Sequence, residues 1–137
     1  MKIVVDPGAY APTRAHPTDA GLDLRAKEDG YVSAKSCKTF ATGVHVQLPK
    51  GTVGLICSRS GLNIISGITS TGVIDEGYTG EIKVNLINHS NKGYRVFEGE
   101  KISQLVILPV LYEEVEIVEE LEESERGENG FGSTGRS

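Results

Sequence analysis

The segment from Ile82 to Asn88 reads Ile-Lys-Val-Asn-Leu-Ile-Asn, and its first five residues alternate between apolar and polar side chains. Successive side chains of a β-strand point to opposite faces, so this period of two predicts a strand with one face on a core and the other in solvent. The segment therefore predicts a fold that is built from β-strands.

Similar patterns recur along the rest of the chain. Residues 22–26 and 44–48 also alternate. Residues 53–57 and 105–110 are continuous apolar runs, which predict strands that are buried on both faces. Turn residues separate these segments, at 49–51, 75–77, 91–93 and 98–100. At most one short helical turn fits, from Gly61 to Ile65. Many short strands with frequent turns predict an all-β fold, a barrel or a jelly roll.

The composition is that of one ordinary globular domain. The 137 residues are 38% hydrophobic and 24% charged, and no apolar run approaches the ~18–20 residues of a membrane span. The apolar stretch before Pro7 is too short for a signal peptide, which predicts a cytoplasmic protein, or one inside the host cell if it is viral. In such a compartment Cys37 and Cys57 are expected to be free thiols, with Cys57 buried at the end of a strand.

Charge is distributed unevenly along the chain. The net charge is −5, of which residues 1–112 contribute +2 and residues 113–137 contribute −7. An acidic protein has no long-range attraction for a nucleic-acid backbone, so we expect no direct nucleic-acid binding. The arginines instead lie within glycine-rich motifs, which suits a small anionic ligand.

The C-terminal segment differs from the body. Residues 119–125 form an acidic run, which predicts a solvated linker, and residues 126–137 contain four glycines around a single aromatic residue, Phe131. Residues 130–135 match G-x-G-x-x-G, but that fingerprint functions between a strand and a helix, and only two residues follow here. The glycine N–H groups, the hydroxyls and the guanidinium of Arg126 nevertheless suit a phosphate chain, with a flexible tail as the alternative.

Four polar positions beside apolar runs are further candidates. Arg59-Ser60-Gly61 follows the apolar run 53–57 and could hold phosphates or simply form a turn. Asp75 directly follows Val73-Ile74 in what reads as a strand, a tight hairpin and a returning strand, and a carboxylate held on a rigid element suits a general base. Asp23 lies between two leucines, and Gln104 lies at the start of an apolar run.

Together these segments resemble, in the same order, the five motifs of the trimeric dUTP diphosphatase family. The matching segments are 20–24, 59–62, 72–75 with Tyr78 and Gly80, 99–105, and 126–127 with 130–135. The resemblance spans roughly residues 19–135. It implies a jelly-roll-like β-barrel over residues 1–118, the linker at 119–125, and a flexible C-terminal arm at 126–137.

The resemblance also implies a reaction. Family members hydrolyse dUTP to dUMP and pyrophosphate with Mg²⁺, which limits uracil incorporation into DNA and supplies dUMP for dTTP synthesis. They form homotrimers with active sites at the subunit interfaces. By this resemblance Asp75 activates the water that attacks the α-phosphorus, and Tyr78 packs on the deoxyribose. By the same resemblance the uracil enters a hairpin at 72–83 and forms hydrogen bonds with the hairpin backbone. The residues beside the uracil are then Gly72, Val73, Ile74, Lys83 and Thr69.

The remaining roles concern the phosphates. By the same resemblance Arg59, Ser60, Gly61 and Gln104 line the α- and β-phosphates, and Asp23 contacts the magnesium through water, the ion being held mainly by the substrate. The C-terminal arm of another subunit closes over the site. Its contacts are Phe131 on the uracil and, at the γ-phosphate, Arg126, Gly132, Ser133 and Thr134.

Three departures and two alternatives accompany this assignment. Gly77 stands where many relatives have an acidic residue, Thr69 where some have Asn, and residues 62–65 where small residues are common. A dCTP deaminase of the same superfamily is one alternative, although it would not need Asp75 and Tyr78 three residues apart. A regulatory or structural trimer is the other, and an additional regulatory protein partner stays open in either case.

Overall fold

The computed structural model describes residues 1–136 and, over that range, contains eleven strands and one short helix. In chain order the elements are β1 (Lys2–Val5), β2 (Gly21–Arg25), β3 (Gly30–Val32), β4 (Cys37–Ala41), β5 (Val44–Gln47), β6 (Thr52–Cys57), α1 (Ser60–Ser66), β7 (Ile68–Thr69), β8 (Thr71–Ile74), β9 (Lys83–Asn88), β10 (Tyr94–Val96) and β11 (Lys101–Pro109). The all-β prediction is confirmed, and the helical turn predicted at 61–65 is α1.

The strands form four antiparallel sheets around one core. A four-stranded sheet has the order β2-β11-β6-β8, and a three-stranded sheet has the order β4-β9-β7. Strands β1 and β5 form one pair and β3 and β10 another. The core between them is aliphatic and includes Leu24, Ile82, Leu86 and Leu105, each fully buried. Burial of one such side chain contributes about 1.5–3 kcal/mol, which explains why the apolar pattern determines the fold.

Burial alternates along strand β9 in the way that its sequence predicts. Val84, Leu86 and Asn88 are buried, while the residues between them are more exposed. Asn88 is a polar residue in this buried row, and its side-chain amide donates to the carbonyls of Val32 (3.1 Å) and Lys92 (2.8 Å). Because its donors are satisfied, Asn88 links β9 to two neighbouring segments at little cost in desolvation.

The prediction of strands buried on both faces is wrong for β6 and β11. Ile56 and Leu105 are buried, but Val53 and Leu55 on the other face of β6 are only partly buried and Leu108 is 41% exposed. Val73 on the neighbouring β8 is 64% exposed. This outer face of the four-stranded sheet is therefore apolar and is left uncovered by residues 1–136.

The cysteine prediction is half right. Cys37 and Cys57 are both free thiols, as expected. Cys57 is only partly buried, because its side chain lies on the uncovered face of β6 and not on the core face.

The predicted hairpin at 72–83 is also wrong. Strand β8 pairs with β6, whereas β9 pairs with β4 and β7, so the chain crosses from one sheet to the other between them. A tight turn does form at its start, where the Tyr78 N–H donates to the Asp75 carbonyl (3.1 Å). Gly77 has a φ of +87° at the third position of this turn, which explains the glycine there. We call residues 75–82 the crossing loop.

The last strand ends at Pro109, and every described residue after Val110 is exposed. The boundary at residue 118 and the linker and arm assignments stay predictions, and Ser137 at the end of the arm lies outside the described residues. α1, the helix found within residues 1–136, is far too short and polar to span a bilayer. The cytoplasmic location likewise stays a prediction.

Candidate functional site

Three adjacent strands bring the predicted phosphate-binding residues to one edge of the four-stranded sheet. Gln104 on β11 lies opposite Asp23 of β2 on one side and Cys57 of β6 on the other. Arg59 and Ser60 follow directly after β6, and Ser60 begins α1. Together with Gly61, these predicted residues line one cavity of about 280 Å³. We call Arg59, Ser60, Gly61 and Gln104 the cradle.

The cradle carries excess positive charge. The Asp23 carboxylate lies 2.7 Å from the Lys101 ammonium and 3.4 Å from Nε of Arg59, and its side chain is only 13% exposed. Arg59 also donates from Nη1 to the Lys101 carbonyl (3.3 Å). Two cations thus share the Asp23 carboxylate, and the other carboxylate of the lining, that of Asp19, bonds His16, so Arg59 is the cation of the lining that can meet an anionic ligand. The sequence contained no signal for Lys101 as a partner of Asp23.

Gly21 has a steric role in the cradle. A Cβ atom on Gly21 would lie 2.1 Å from Oε1 of Gln104, so only glycine leaves room for the glutamine side chain. That side chain is fixed from its other end, because Nε2 donates to the Ser58 carbonyl (3.0 Å). Gln104 therefore presents one defined orientation to the cavity.

Asp75 lies in a different cavity. It follows the last residue of β8 and lines a space of about 300 Å³ together with Glu76 and Tyr112. Glu76 is engaged there, since its Oε1 accepts from the Gly51 N–H (2.6 Å) and from the Tyr112 hydroxyl (2.9 Å). These two bonds, the Gly51 bond foremost, lower the pKa of Glu76. Asp75 is exposed, and its carboxylate has no hydrogen bond or ion pair with any described residue.

The strand register separates Asp75 from the cradle. Gly54 of β6 lies opposite Ile74 of β8 in an antiparallel pair, so Asp75 comes level with Val53 near the start of β6, whereas Arg59 lies beyond the other end of that strand. The two residues are about six strand positions apart, which at ~3.4 Å per residue is about 20 Å. One chain therefore does not bring Asp75 and the cradle onto the same phosphate.

Tyr78 lies in the crossing loop with its ring half exposed. Its hydroxyl donates to the Glu81 carbonyl (3.0 Å), and its ring passes close over Gly80. A Cβ atom on Gly80 would lie 2.6 Å from the ring, which explains why a glycine stands at that position. The ring is thus held at the surface of the loop, where it is 46% exposed.

The other residues predicted beside the base lie on three strands. Gly72, Val73 and Ile74 are on β8, Thr69 is on β7, and Lys83 begins β9. The Thr69 hydroxyl is already hydrogen-bonded to Nε2 of His89 (2.7 Å). No sequence pattern indicates this partner.

The arm residues touch neither cavity. Arg126 donates from Nε to the Asn129 carbonyl (2.7 Å) within the arm itself, and Phe131 is fully exposed. The remaining predicted contacts, Gly132, Ser133 and Thr134, are exposed as well. Of the predicted site residues, one chain thus brings together in one cavity only those of the cradle with Asp23, within the part of the chain that the structure describes.

The chain matches one family model and several known proteins over most of its length. A family model described as dUTPase matches residues 8–135. The deoxyuridine 5'-triphosphate nucleotidohydrolase of Clostridium novyi (strain NT) is 48% identical over 141 residues, covering 98% of this chain and 99% of that protein. The protein of the same description from Clostridium acetobutylicum is 46% identical over 134 residues, covering 96% of this chain and 92% of that protein.

Solved structures give the same relationship. A mutant dUTPase of Staphylococcus bacteriophage 80alpha with dUpNHpp superimposes with a TM-score of 0.92 at 33% identity, covering 98% of each chain. A mutant dUTPase from phage phi11 of S. aureus, described with a structural Mg(II) ion, superimposes with a TM-score of 0.80 at 30% identity. It covers 87% of this chain and 96% of that one. The jelly-roll-like form of the predicted fold follows from these matches.

Proposed function

The chain belongs to the dUTPase family, and from this membership we propose that it hydrolyses dUTP to dUMP and pyrophosphate. The observation that carries the proposal is that the matched region, residues 8–135, contains both the cradle with its Arg59 guanidinium and an exposed aspartate, Asp75, whose carboxylate bonds no described residue. The activity would limit uracil incorporation into DNA and supply dUMP for dTTP synthesis.

Asp75 is the general base in this proposal. Its free, exposed carboxylate can accept a proton from a water molecule while the water oxygen attacks the α-phosphorus. The bond from the α-phosphorus to the bridging oxygen breaks, and pyrophosphate leaves. Glu76, its neighbour, is occupied by Gly51 and Tyr112, which favours Asp75 as the carboxylate available for this step.

The cradle would bind the α- and β-phosphates. Arg59 supplies charge, while Ser60, Gly61 and Gln104 offer hydroxyl, backbone and amide groups. Asp23 fits a contact with magnesium through water, because Lys101 and Arg59 already hold its carboxylate and residues 1–136 contain no cluster of three or more candidate metal ligands. The ion, when bound through the phosphates, would neutralise their charge.

A homotrimer with shared sites accounts for the 20 Å gap between Asp75 and the cradle. A second copy could place its Asp75 at the cradle of the first, and the uncovered apolar face of β6, β8 and β11 offers a surface for association. The exposed arm is free to reach a neighbouring subunit. We propose that it supplies Phe131 to the uracil and Arg126, Gly132, Ser133 and Thr134 to the γ-phosphate.

Subunit mixing tests the shared site. We expect Asp75→Asn and Arg59→Ala chains, each inactive alone, to recover activity when they are unfolded together and reassembled, because some sites then combine an intact Asp75 with an intact Arg59. With random assembly roughly one quarter of the sites should be active. The molar mass measured in solution by light scattering should be three times the 14.7 kDa mass of the chain. An active monomer, or mixtures as inactive as their parents, would refute the shared site.

Base and sugar selection would come from β7, β8, the first residue of β9 and the crossing loop. Backbone groups of Gly72, Val73 and Ile74, together with Thr69 and Lys83, would face the uracil. A buried donor or acceptor left unpaired by cytosine costs about 1–3 kcal/mol, which gives discrimination against dCTP. The exposed part of the Tyr78 ring would pack on the deoxyribose and leave no space for a 2′-hydroxyl.

We therefore expect dUTP to be hydrolysed in preference to dCTP, dTTP and UTP, and Tyr78→Ala to relax discrimination against UTP more than it weakens dUTP binding. Pyrophosphate release measured with each nucleotide tests both statements. Tyr31→Ala, which removes another exposed tyrosine that lines neither cavity, is the matched control. Equal hydrolysis of UTP and dUTP by the wild type would refute the sugar-stacking role, and ammonia release from dCTP would favour a deaminase.

A further inference from the structure

His45 on β5 joins the N-terminal strand to the crossing loop. Its Nδ1 lies 3.0 Å from the Thr79 carbonyl oxygen, and its Nε2 lies 3.1 Å and 3.3 Å from the two carboxylate oxygens of Asp6. The side chains of His45 and Asp6 are about one third exposed, at 28% and 34%. One ring therefore bridges two segments that are far apart in the chain.

The chemistry of the two partners determines the protonation state of His45. A carbonyl oxygen and an ionised carboxylate can only accept hydrogen bonds, and a neutral imidazole carries a single N–H. Both bonds are made only by the imidazolium, which donates from both nitrogens. Consistently, the Thr79 carbonyl in the first place, and then Asp6, raise the pKa of His45.

The carboxylates around His45 also favour its protonated form. Glu81 of the crossing loop also raises its pKa, and Lys2 of β1 is the cation that lines the same cavity. Desolvation acts in the opposite direction but does not prevail. The surroundings of His45 are therefore acidic on balance.

The bond to Thr79 ties the middle of the crossing loop to β5, because the two hydrogen bonds of Tyr78 itself, to the Asp75 and Glu81 carbonyls, both stay within the loop. At the C-terminal end of the loop, the Gly43 N–H donates to the Glu81 carboxylate (2.9 Å) and the Ile82 N–H donates to the Val44 carbonyl (2.8 Å). Thr79 lies nearer the middle of the loop, next to Tyr78. The side chain that bonds the Thr79 carbonyl is His45. Loss of this bond would free Tyr78 before it freed the end of the loop.

We propose that protonated His45 is a positioning residue, which holds Tyr78 in place through Thr79 and makes substrate recognition weaken at alkaline pH. The inference rests on the proposed role of Tyr78 in dUTP binding. Asp75 lies at the other end of the loop, fixed by β8, so the effect falls on KM more than on kcat.

The direction of the pH dependence follows from the raised pKa. Because the folded value lies above the ordinary ~6.5 of histidine, both bonds are made below that pH and one of them is lost as the pH rises through the raised value. The single N–H of the neutral ring stays with the carboxylate of Asp6, which is the stronger acceptor, so the bond to the Thr79 carbonyl is the one lost. We expect the KM for dUTP to rise by about three- to tenfold across this range, the worth of one hydrogen bond, and discrimination against UTP to fall with it.

The experiment measures kcat and KM for dUTP and UTP from acid to alkaline pH in four proteins. His45→Gln should show an elevated KM without this rise, since one amide group cannot donate to both acceptors. Asp6→Asn should move the rise to lower pH, because the amide removes the charge that favours the imidazolium. Tyr10→Phe is the matched control, since it removes the bond of an exposed side chain to a carboxylate, that of Glu98, in neither the cradle cavity nor the Asp75 cavity.

An NMR titration of the His45 ring separates this inference from the proposed function. A midpoint above the ordinary histidine value that coincides with the rise in KM supports the inference. A midpoint at or below that value overturns it, as does a His45→Gln profile parallel to the wild type. If the wild type releases no pyrophosphate from dUTP at any pH, the proposed function fails, whereas the titration still reports whether the imidazolium is present.

Discussion

Asp75→Asn is expected to lower kcat for dUTP hydrolysis by ~10²–10⁴-fold, the usual contribution of a general base, while dUTP binding is retained. The amide has nearly the shape of the carboxylate but cannot accept the proton of the attacking water. Because Asp75 is exposed and its carboxylate bonds none of the described residues, the substitution removes no interaction that stabilises the fold. The loss should therefore appear in turnover alone.

Three measurements test this expectation: pyrophosphate release for kcat, calorimetric binding of a non-hydrolysable dUTP analogue, and the melting temperature. Glu76→Gln is the matched control, because it changes the neighbouring carboxylate to an amide and should retain turnover. It should instead lower stability, since the negative charge of Glu76 accepts the Gly51 and Tyr112 bonds. Near wild-type turnover in Asp75→Asn would remove Asp75 from the role of base.

The sequence predicted strands where apolar residues alternate over five or more positions. β9 is the clearest case, because its alternating residues are buried and exposed in the same order. Strands β1, β3, β4, β7 and β10 were not predicted, since none of them contains an alternating or continuous run of apolar residues long enough to detect. Such strands form because their neighbours offer an edge, which is a property of the tertiary structure.

The two errors in the fold have a common physical origin. A continuous apolar run indicates that both faces of a strand avoid water, but not whether the same chain or another copy covers the second face, and β6 is covered on one face only. Turn chemistry at Asp75 to Tyr78 likewise indicates a reversal but not which strands pair afterwards. Both questions concern long-range partners.

The site was predicted in part for the same reason. The cradle residues were identified through motifs and do lie together, whereas the Lys101–Asp23 ion pair and the His45–Thr79 bond join residues that no spacing connects. The separation of Asp75 from the cradle depends on the register of β6 and β8, which the sequence does not show. Motifs thus identify candidate residues, whereas only the register shows that one chain does not bring Asp75 to the cradle.

The C-terminal arm offers the second large effect. Truncation after Ser124 should leave the trimer and its melting temperature almost unchanged but lower turnover by an order of magnitude or more. Every residue removed that the structure describes is exposed, and the bonds lost are local, such as Arg126 to Asn129 and Gly127 to Ser124. An arm so rich in glycine does not order alone, so we infer that it orders when Phe131 and Arg126 gain contacts with uracil and phosphates.

Point variants distinguish closure by the arm from a general effect of its removal. Phe131→Ala and Arg126→Ala should each lower turnover, whereas Arg136→Ala, which removes an equally exposed cation outside the motif, should not. Steady-state kinetics and thermal melting on all four proteins give the answer. Unchanged turnover after truncation would make residues 126–137 an ordinary flexible tail, and a collapse in melting temperature would make them structural. Closure over the site requires that turnover falls while stability stays, because the arm then acts only on the substrate complex.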